Sequence, residues 1–265
     1  MHQKGVTWFW LGAWSLSSCG SLQIDPVLEA RALGFELHPA FGKAWSRWGW
    51  VYEWRFLEVV WGTDEVNSQL PLVIALHGYG DTPTMPGHPF AGRSVPYRLV
   101  MPEAPLIVAT GRAWSRFRVA DNQPEAMSRE LAERVEELRL AIALLQRVRP
   151  TRGLPILFGY SQGAHLALAF ATTHPKEISG AVVGAGWLPP SFTPSQLPQH
   201  PPRIWAVHGS QDNRVPWSLS RVAYQKLQAM GWPIELHLVE GEHLPSPAMQ
   251  ASLAQAIENA LRAIN

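Results

Sequence analysis

Gly159-Tyr160-Ser161-Gln162-Gly163 sets a serine between two glycines, with a short apolar run ahead of it and an alanine- and leucine-rich stretch behind. Residues 154–158, after Arg152-Gly153, have the length and bounding of a buried strand, and residues 164–170 suit a buried helix. Glycine at 159 and 163 fits a corner so sharp that a side chain would crowd it. A Gly-x-Ser-x-Gly corner of this kind lifts a hydroxyl above the end of a sheet and puts a helix N-terminus behind it. A serine hydroxyl is a weak nucleophile near neutral pH, so chemistry there needs a histidine to take its proton and a carboxylate to orient that histidine.

In chains with this corner the order along the sequence is serine, acid, histidine. Beyond Ser161 the only aspartate is Asp212, and beyond Asp212 the only histidines are His237 and His243. Asp212 sits in His208-Gly209-Ser210-Gln211-Asp212, directly past an apolar run, where a loop carboxylate can face the site. His237 falls inside the alternating run 234–239, whereas His243 follows it in the loop Glu240-Gly241-Glu242-His243, at the correct end. The assignment is therefore Ser161 as nucleophile, His243 as base and Asp212 as its orienting acid. Glu240 and Glu242 stand too close in sequence to His243 to orient it from a neighbouring strand. A tetrahedral oxyanion needs two backbone N–H donors, one just after the nucleophile and one from the loop after an earlier strand. Gln162 and Tyr79 fill these places, with Gly78 and Gly80 letting the second loop come close. His77, which precedes the serine, reads as a structural hydrogen-bonding residue, and Asp81 as a residue that fixes its loop.

These residues need a scaffold that brings strand ends together. Strands are expected at 53–60, 72–76, 98–101, 154–158, 178–184, 204–208 and 234–239. Helices are expected at 125–148, 164–170, 217–230 and 249–263. In the first of these, Leu131, Val135, Leu138, Ile142, Leu145 and Val148 recur three or four apart on one face. Strands alternating with helices imply parallel pairing by right-handed crossovers and a three-layer α/β domain, with its site at the carboxyl ends of the strands. At 265 residues, one such domain is the simplest reading. The four tryptophans Trp45, Trp48, Trp50 and Trp54 read as packing for the domain's edge, with a ligand platform as the alternative. The segment 187–202, proline-rich from 189, lies past a strand end, and is read either as lining or covering an acyl pocket or as a stiff surface loop.

A net charge of +1 with interspersed signs gives no reason to expect nucleic acid as a partner. The histidines are scattered and there is a single cysteine, so neither a metal nor a cofactor is implied; no glycine-rich loop matches a dinucleotide or phosphate fingerprint.

The amino terminus reads separately. A short basic start, an apolar run over 6–16 that is too short to span a bilayer, and small residues after it form a signal-peptide layout over 1–18. Leu16-Ser17-Ser18-Cys19 resembles the lipobox of bacterial lipoproteins, in which the cysteine becomes the lipidated first residue. The resemblance implies a lipid anchor on Cys19 and a place in the bacterial cell envelope. Gly20 rather than aspartate after the cysteine points to the outer membrane. A plain signal peptide or a buried first strand is the alternative. Residues 19–50 then form a tether and edge segment, and 51–265 the catalytic domain.

From about Leu70 to the carboxyl end the chain resembles the phospholipase/carboxylesterase group of α/β-hydrolases, which includes the acyl-protein thioesterases. Leu76-His77-Gly78-Tyr79-Gly80-Asp81 matches that family's Leu-His-Gly-x-Gly-Asp. Residues 159–163 match its Gly-Phe-Ser-Gln-Gly with tyrosine for phenylalanine, and 208–216 match its acid loop. Ala164 replaces a second glycine, and Glu242 stands where the family often has glycine. The resemblance implies an α/β-hydrolase fold and hydrolysis of a small acyl ester or thioester without a cofactor. It also implies Ser161, Asp212 and His243 as triad, and Tyr79 and Gln162 as oxyanion donors. A polyester depolymerase, feruloyl esterase or peptidase would use the same triad. A non-catalytic binding lipoprotein would keep the fold alone.

Overall fold

The computed structural model describes residues 36–37, 44–51, 54–83 and 89–264. The signal region 1–18, Cys19 and most of the tether lie outside them.

Nine strands form one sheet among the described residues: β1 (Glu36–Leu37), β2 (Ala44–Val51), β3 (Trp54–Trp61), β4 (Leu72–Leu76), β5 (Tyr97–Pro102), β8 (Ile156–Tyr160), β9 (Gly180–Gly184), β10 (Arg203–Gly209) and β11 (Ile234–Val239). Their order across the sheet is β1-β2-β3-β5-β4-β8-β9-β10-β11. Every pairing from β5 to β11 is parallel, while β1, β2 and β3 extend the sheet as an antiparallel meander. A short hairpin, β6 (Leu106–Val108) with β7 (Gly111–Ala113), stands apart from it. The four helices are α1 (Pro124–Val148), α2 (Gln162–Thr173), α3 (Trp217–Ala229) and α4 (Pro247–Arg262).

The parallel strands read as near-continuous apolar runs because both faces of the sheet are covered. On one face α1, α2 and α3 bury Leu131, Leu138, Ile142, Leu166 and Leu227 against Leu72, Ile74 and Leu157. On the other, α4 packs Leu253, Ile257 and Leu261 over Val73, Phe158 and Val182. This is the three-layer arrangement expected from the alternation of elements. Helix α2 is buried almost all round, which explains its alanines and leucines.

Boundaries moved where local chemistry overruled the apolar pattern. Strand β8 begins at Ile156, not 154, and runs on through Gly159 to Tyr160, which pairs with Gly184. Helix α4 starts two residues earlier than expected, because Ser246 caps it by accepting from the Met249 N–H at 3.2 Å and Pro247 occupies the first turn. Ahead of residue 51, β2 is hydrogen-bonded to β3 in register from Ala44–Trp61 to Val51–Trp54, so the sheet extends into the segment read as tether and edge. Gly49 leaves the space that the facing Phe56 ring fills. Three of the four tryptophans pack this edge: Trp54 is buried with its ring 5.2 Å from that of Trp114, the Trp45 indole donates to Asp64, and Arg55 stacks on Trp48, while Trp50 is exposed.

The meander is riveted to the parallel sheet by one buried carboxylate. Glu58 on β3 is fully buried and meets Arg47 on β2 at 2.7 Å, Arg98 on β5 and Arg149 just past α1 at 3.3 Å. Removing one member of such a group leaves buried charge uncompensated. Glu58→Ala is expected to lower the free energy of unfolding by about 3–5 kcal/mol, read from urea denaturation midpoints at constant slope.

Candidate active site

Strand order reverses between β4 and β8, since β5 lies on one side of that pair and β9 on the other. In open α/β sheets the crevice at such a switch point is where ligands bind. Here it is flanked by the loop after β4, carrying Tyr79, and by the corner after β8, carrying Ser161.

Ser161 has φ 52° and ψ −118°, a conformation that a residue with a side chain rarely adopts. The packing around it explains why it is held. A Cβ on Gly159 would run into the backbone of Gly163, and one on Gly163 into the Leu76 and His77 carbonyls. Helix α2 can therefore start directly against β4 only with glycine at both places. The Ser161 N–H donates to the Gly184 carbonyl at 2.9 Å, tying the corner to the end of β9.

The hydroxyl of Ser161 lies 2.9 Å from His243 Nε2, and His243 Nδ1 lies 2.8 Å from Asp212 Oδ2. All three residues that the chain order selected are thus brought together from three loops. Asp212 is buried, and its Oδ1 accepts from the Arg214 and Val215 N–H groups, each at 2.9 Å. Burial alone would raise its pKa. Hydrogen bonds from His208, His243 and the Val215 backbone more than offset this and hold the carboxyl well below the usual carboxylate range. His237, by contrast, pairs with Glu235 at 2.8 Å on the exposed edge of β11, and the side chains of Glu240 and Glu242 are exposed.

Tyr79 and Gln162 line the same cavity as Ser161 and His243. A Cβ at Gly78 would sit 3.5 Å from that of Ser161, so the loop lies directly on the serine. Gly80, at φ 75°, donates its N–H to the Arg112 carbonyl at 2.8 Å, and the Asp81 carboxylate accepts from the Thr82 N–H at 2.8 Å. His77 accepts from the Ala104 N–H through Nε2, at 3.1 Å, and lies 2.8 Å from the Gly78 carbonyl through Nδ1. The neutral tautomer with its proton on Nδ1 serves both contacts, and burial lowers the ring's pKa. His77 and Asp81 are thus bound into the loop as expected.

The sequence reading did not find four other parts. The Gln162 side chain accepts from the Trp114 N–H at 2.8 Å and donates to the Ser115 and Phe117 carbonyls, pinning the 114–117 segment beside the corner. Tyr160 donates its hydroxyl to the His243 carbonyl and fixes the histidine loop, a bond that phenylalanine at this position could not make. Fully buried His208 lies 2.9 Å from the Val215 carbonyl and 3.4 Å from Asp212 Oδ2 through the same Nε2. Buried His165 also lines the cavity. Only His165 left a signal in the sequence, standing four residues after Ser161 and so on the same helical face.

The cavity has a volume of about 850 Å³, with Phe90, Phe117, Val119, Phe158 and Leu253 among its apolar lining. No residue of 187–202 lines it, which corrects the acyl-pocket reading of that stretch; Phe192 instead packs into the core beside α1 and α2. Among the described residues no cluster of three or more His, Cys, Asp or Glu could hold a metal ion.

The sheet, its covering helices and the serine corner at the switch point define an α/β-hydrolase. More narrowly, residues 58–261 match the phospholipase/carboxylesterase family, and the chain belongs to it. A probable carboxylesterase of Oryza sativa subsp. japonica is 34% identical over 110 residues, 40% of this chain and 41% of that protein. The carboxylesterase SOBER1 of Arabidopsis thaliana is 34% identical over 89 residues, 31% of this chain and 38% of that one. The matched stretches therefore span about two fifths of either relative. The crystal structure of a Bacillus cereus carboxylesterase shares the fold, with a TM-score of 0.59 at 16% identity over 77% of this chain and 93% of that one.

The depressed pKa of Asp212 has a consequence for stability. A carboxyl whose folded pKa lies below its unfolded value of about 3.9 stabilises the fold fully above that value, and the contribution is lost as pH falls through the folded pKa. The unfolding free-energy difference between the wild type and Asp212→Asn is expected to shrink steadily as the pH falls below about 4. Urea titrations across that range measure it.

Proposed function

We propose that the protein is a serine hydrolase of carboxylic esters that works through an acyl-enzyme on Ser161. The observation that carries this reading is the unbroken relay from Ser161 Oγ to His243 Nε2 at 2.9 Å and from His243 Nδ1 to Asp212 at 2.8 Å, opening on the cavity. Membership of the phospholipase/carboxylesterase family supports it.

In the first half-reaction Ser161 Oγ bonds to the carbonyl carbon of a small acyl ester or thioester while His243 Nε2 takes its proton. The backbone N–H groups of Tyr79 and Gln162 stabilise the oxyanion, and buried Asp212 stabilises the imidazolium. The bond to the leaving oxygen or sulfur then breaks, and His243 returns the proton to it. In the second half-reaction water gives its proton to His243 and attacks the acyl carbon. The acid departs and Ser161 recovers its hydroxyl. Proton transfer and backbone donors suffice for each step.

The purified mature protein is expected to form a fluorophosphonate adduct that mass spectrometry places on Ser161. Ser161→Ala should fold normally and lose at least about a thousandfold in turnover of p-nitrophenyl esters, and His243→Ala should lose the labelling. Absence of labelling where a control esterase reacts would favour a binding protein on the same fold.

The reading extends to an anchor on Cys19 that holds the domain at the bacterial cell envelope, on the outer membrane or its periplasmic face, as Leu16-Ser17-Ser18-Cys19 suggests. No helix among the described residues is long and apolar enough to cross a membrane. Fractionation of bacteria making the full chain is expected to find it with the membranes, and Cys19→Ser in the soluble fraction. A Cys19→Ser variant that stays with the membranes would overturn the anchor.

A further inference from the structure

His165 stands on the first turns of α2, where its backbone N–H donates to the Ser161 carbonyl at 3.1 Å. Its side chain is almost wholly buried, with 2% of the residue exposed, and its ring packs edge-on against Trp187. Ring atom Nδ1 accepts the Trp187 backbone N–H at 3.0 Å, so in the neutral ring the proton is on Nε2. Burial, reinforced by the nearby His243, pushes the pKa down to about 3, and the ring is neutral at any ordinary working pH.

Among the described residues the ring is hydrogen-bonded through Nδ1 alone, which leaves Nε2–H to the cavity that His165 lines together with Ser161, Tyr79 and His243. Much of the surrounding wall is apolar, with Phe117, Val119 and Met127. A cavity of this kind, mostly apolar with a few placed polar groups, selects by those groups. In the free protein water can serve the donor. A bound ester whose hydrocarbon displaces that water leaves the N–H unpaired, whereas one with an oxygen at that point restores the bond.

We propose that His165 is a specificity-determining residue: its Nε2–H donates to an acceptor oxygen carried by the substrate in addition to the scissile ester, so that oxygen-substituted esters are preferred over plain hydrocarbon esters of the same length. The proposal rests on the ester-hydrolase reading of the site and names its substrate class. It distinguishes a donor-lined wall from an acyl pocket that takes any chain of the right size.

Two matched pairs test it, one for each side of the ester. The acyl pair is p-nitrophenyl butyrate and p-nitrophenyl methoxyacetate, and the alcohol pair is n-butyl acetate and 2-methoxyethyl acetate, followed by pH-stat titration. Each kcat/KM ratio is corrected by the ratio of the hydroxide-catalysed rates. The wild type is expected to favour the oxygen-bearing member of at least one pair by about tenfold, the worth of one neutral hydrogen bond. In His165→Leu that ratio should fall to about one, and His165→Gln, which keeps an N–H donor, should recover part of it. A corrected ratio near one for both pairs in the wild type overturns the proposal whatever the variants do, and so does an undiminished ratio in His165→Leu. Hydrolysis without preference overturns this proposal alone. A wild type that hydrolyses neither pair and takes no fluorophosphonate overturns the ester-hydrolase reading and this proposal with it.

Discussion

The close approach of α2 to the backbone of β4 is the contact on which the rest of the site depends. Because Gly163 lies against the Leu76 and His77 carbonyls, the helix starts immediately above the strand and the chain must turn within a single residue. That residue is Ser161, at φ 52°. The unfavourable backbone is held by contacts on both sides: Gly184 accepts the serine's N–H, and the Gln162 side chain ties the helix start to 114–117. A strained residue of this kind needs a rigid surround, and the buried α2 supplies one.

From that corner the other functional groups follow by adjacency. Strand β4 is hydrogen-bonded beside β8, so the loop carrying Tyr79 ends next to the serine. Strands β10 and β11 pair with each other further along the sheet, and their trailing loops bring Asp212 and His243 into contact with one another. The acid is held by more than the histidine. Two backbone N–H groups saturate one oxygen, and His208 approaches the other, so the carboxylate keeps its charge although buried. Tyr160 joins the two halves by holding the His243 carbonyl from the strand that bears the serine.

The distribution of polar groups in the interior follows a common rule, that buried polar atoms sit in networks. Glu58 with its three arginines secures the antiparallel extension, and His77, Trp114 and Gln162 secure the floor of the site. His165 and His208 are each hydrogen-bonded through one ring nitrogen, Nδ1 of His165 to the Trp187 N–H and Nε2 of His208 to the Val215 carbonyl, but only His165 lines the cavity.

Most strands and helices were legible because their apolar periods are long and unambiguous, as in Leu131 to Leu145 of α1. The positions of Ser161, Asp212 and His243 were legible for a different reason. Beyond Ser161 the chain has one aspartate and, after it, two histidines, so order alone nearly determined the choice. Strand β2 was not legible, because a run with three tryptophans and an arginine shows no clean alternation until Phe56 and Glu58 supply its partners across the hairpin. The proline-rich 189–202 misled, because position past a strand end does not reveal which way a loop folds, and Phe192 folds into the core. By itself the sequence determined the fold class, the chain order of Ser161, Asp212 and His243, and the glycines that permit the corner, since these depend on residue type and local spacing. Only the tertiary structure decided which face of each residue meets the cavity and which polar atoms stay unpaired there, since such contacts join segments far apart in the chain.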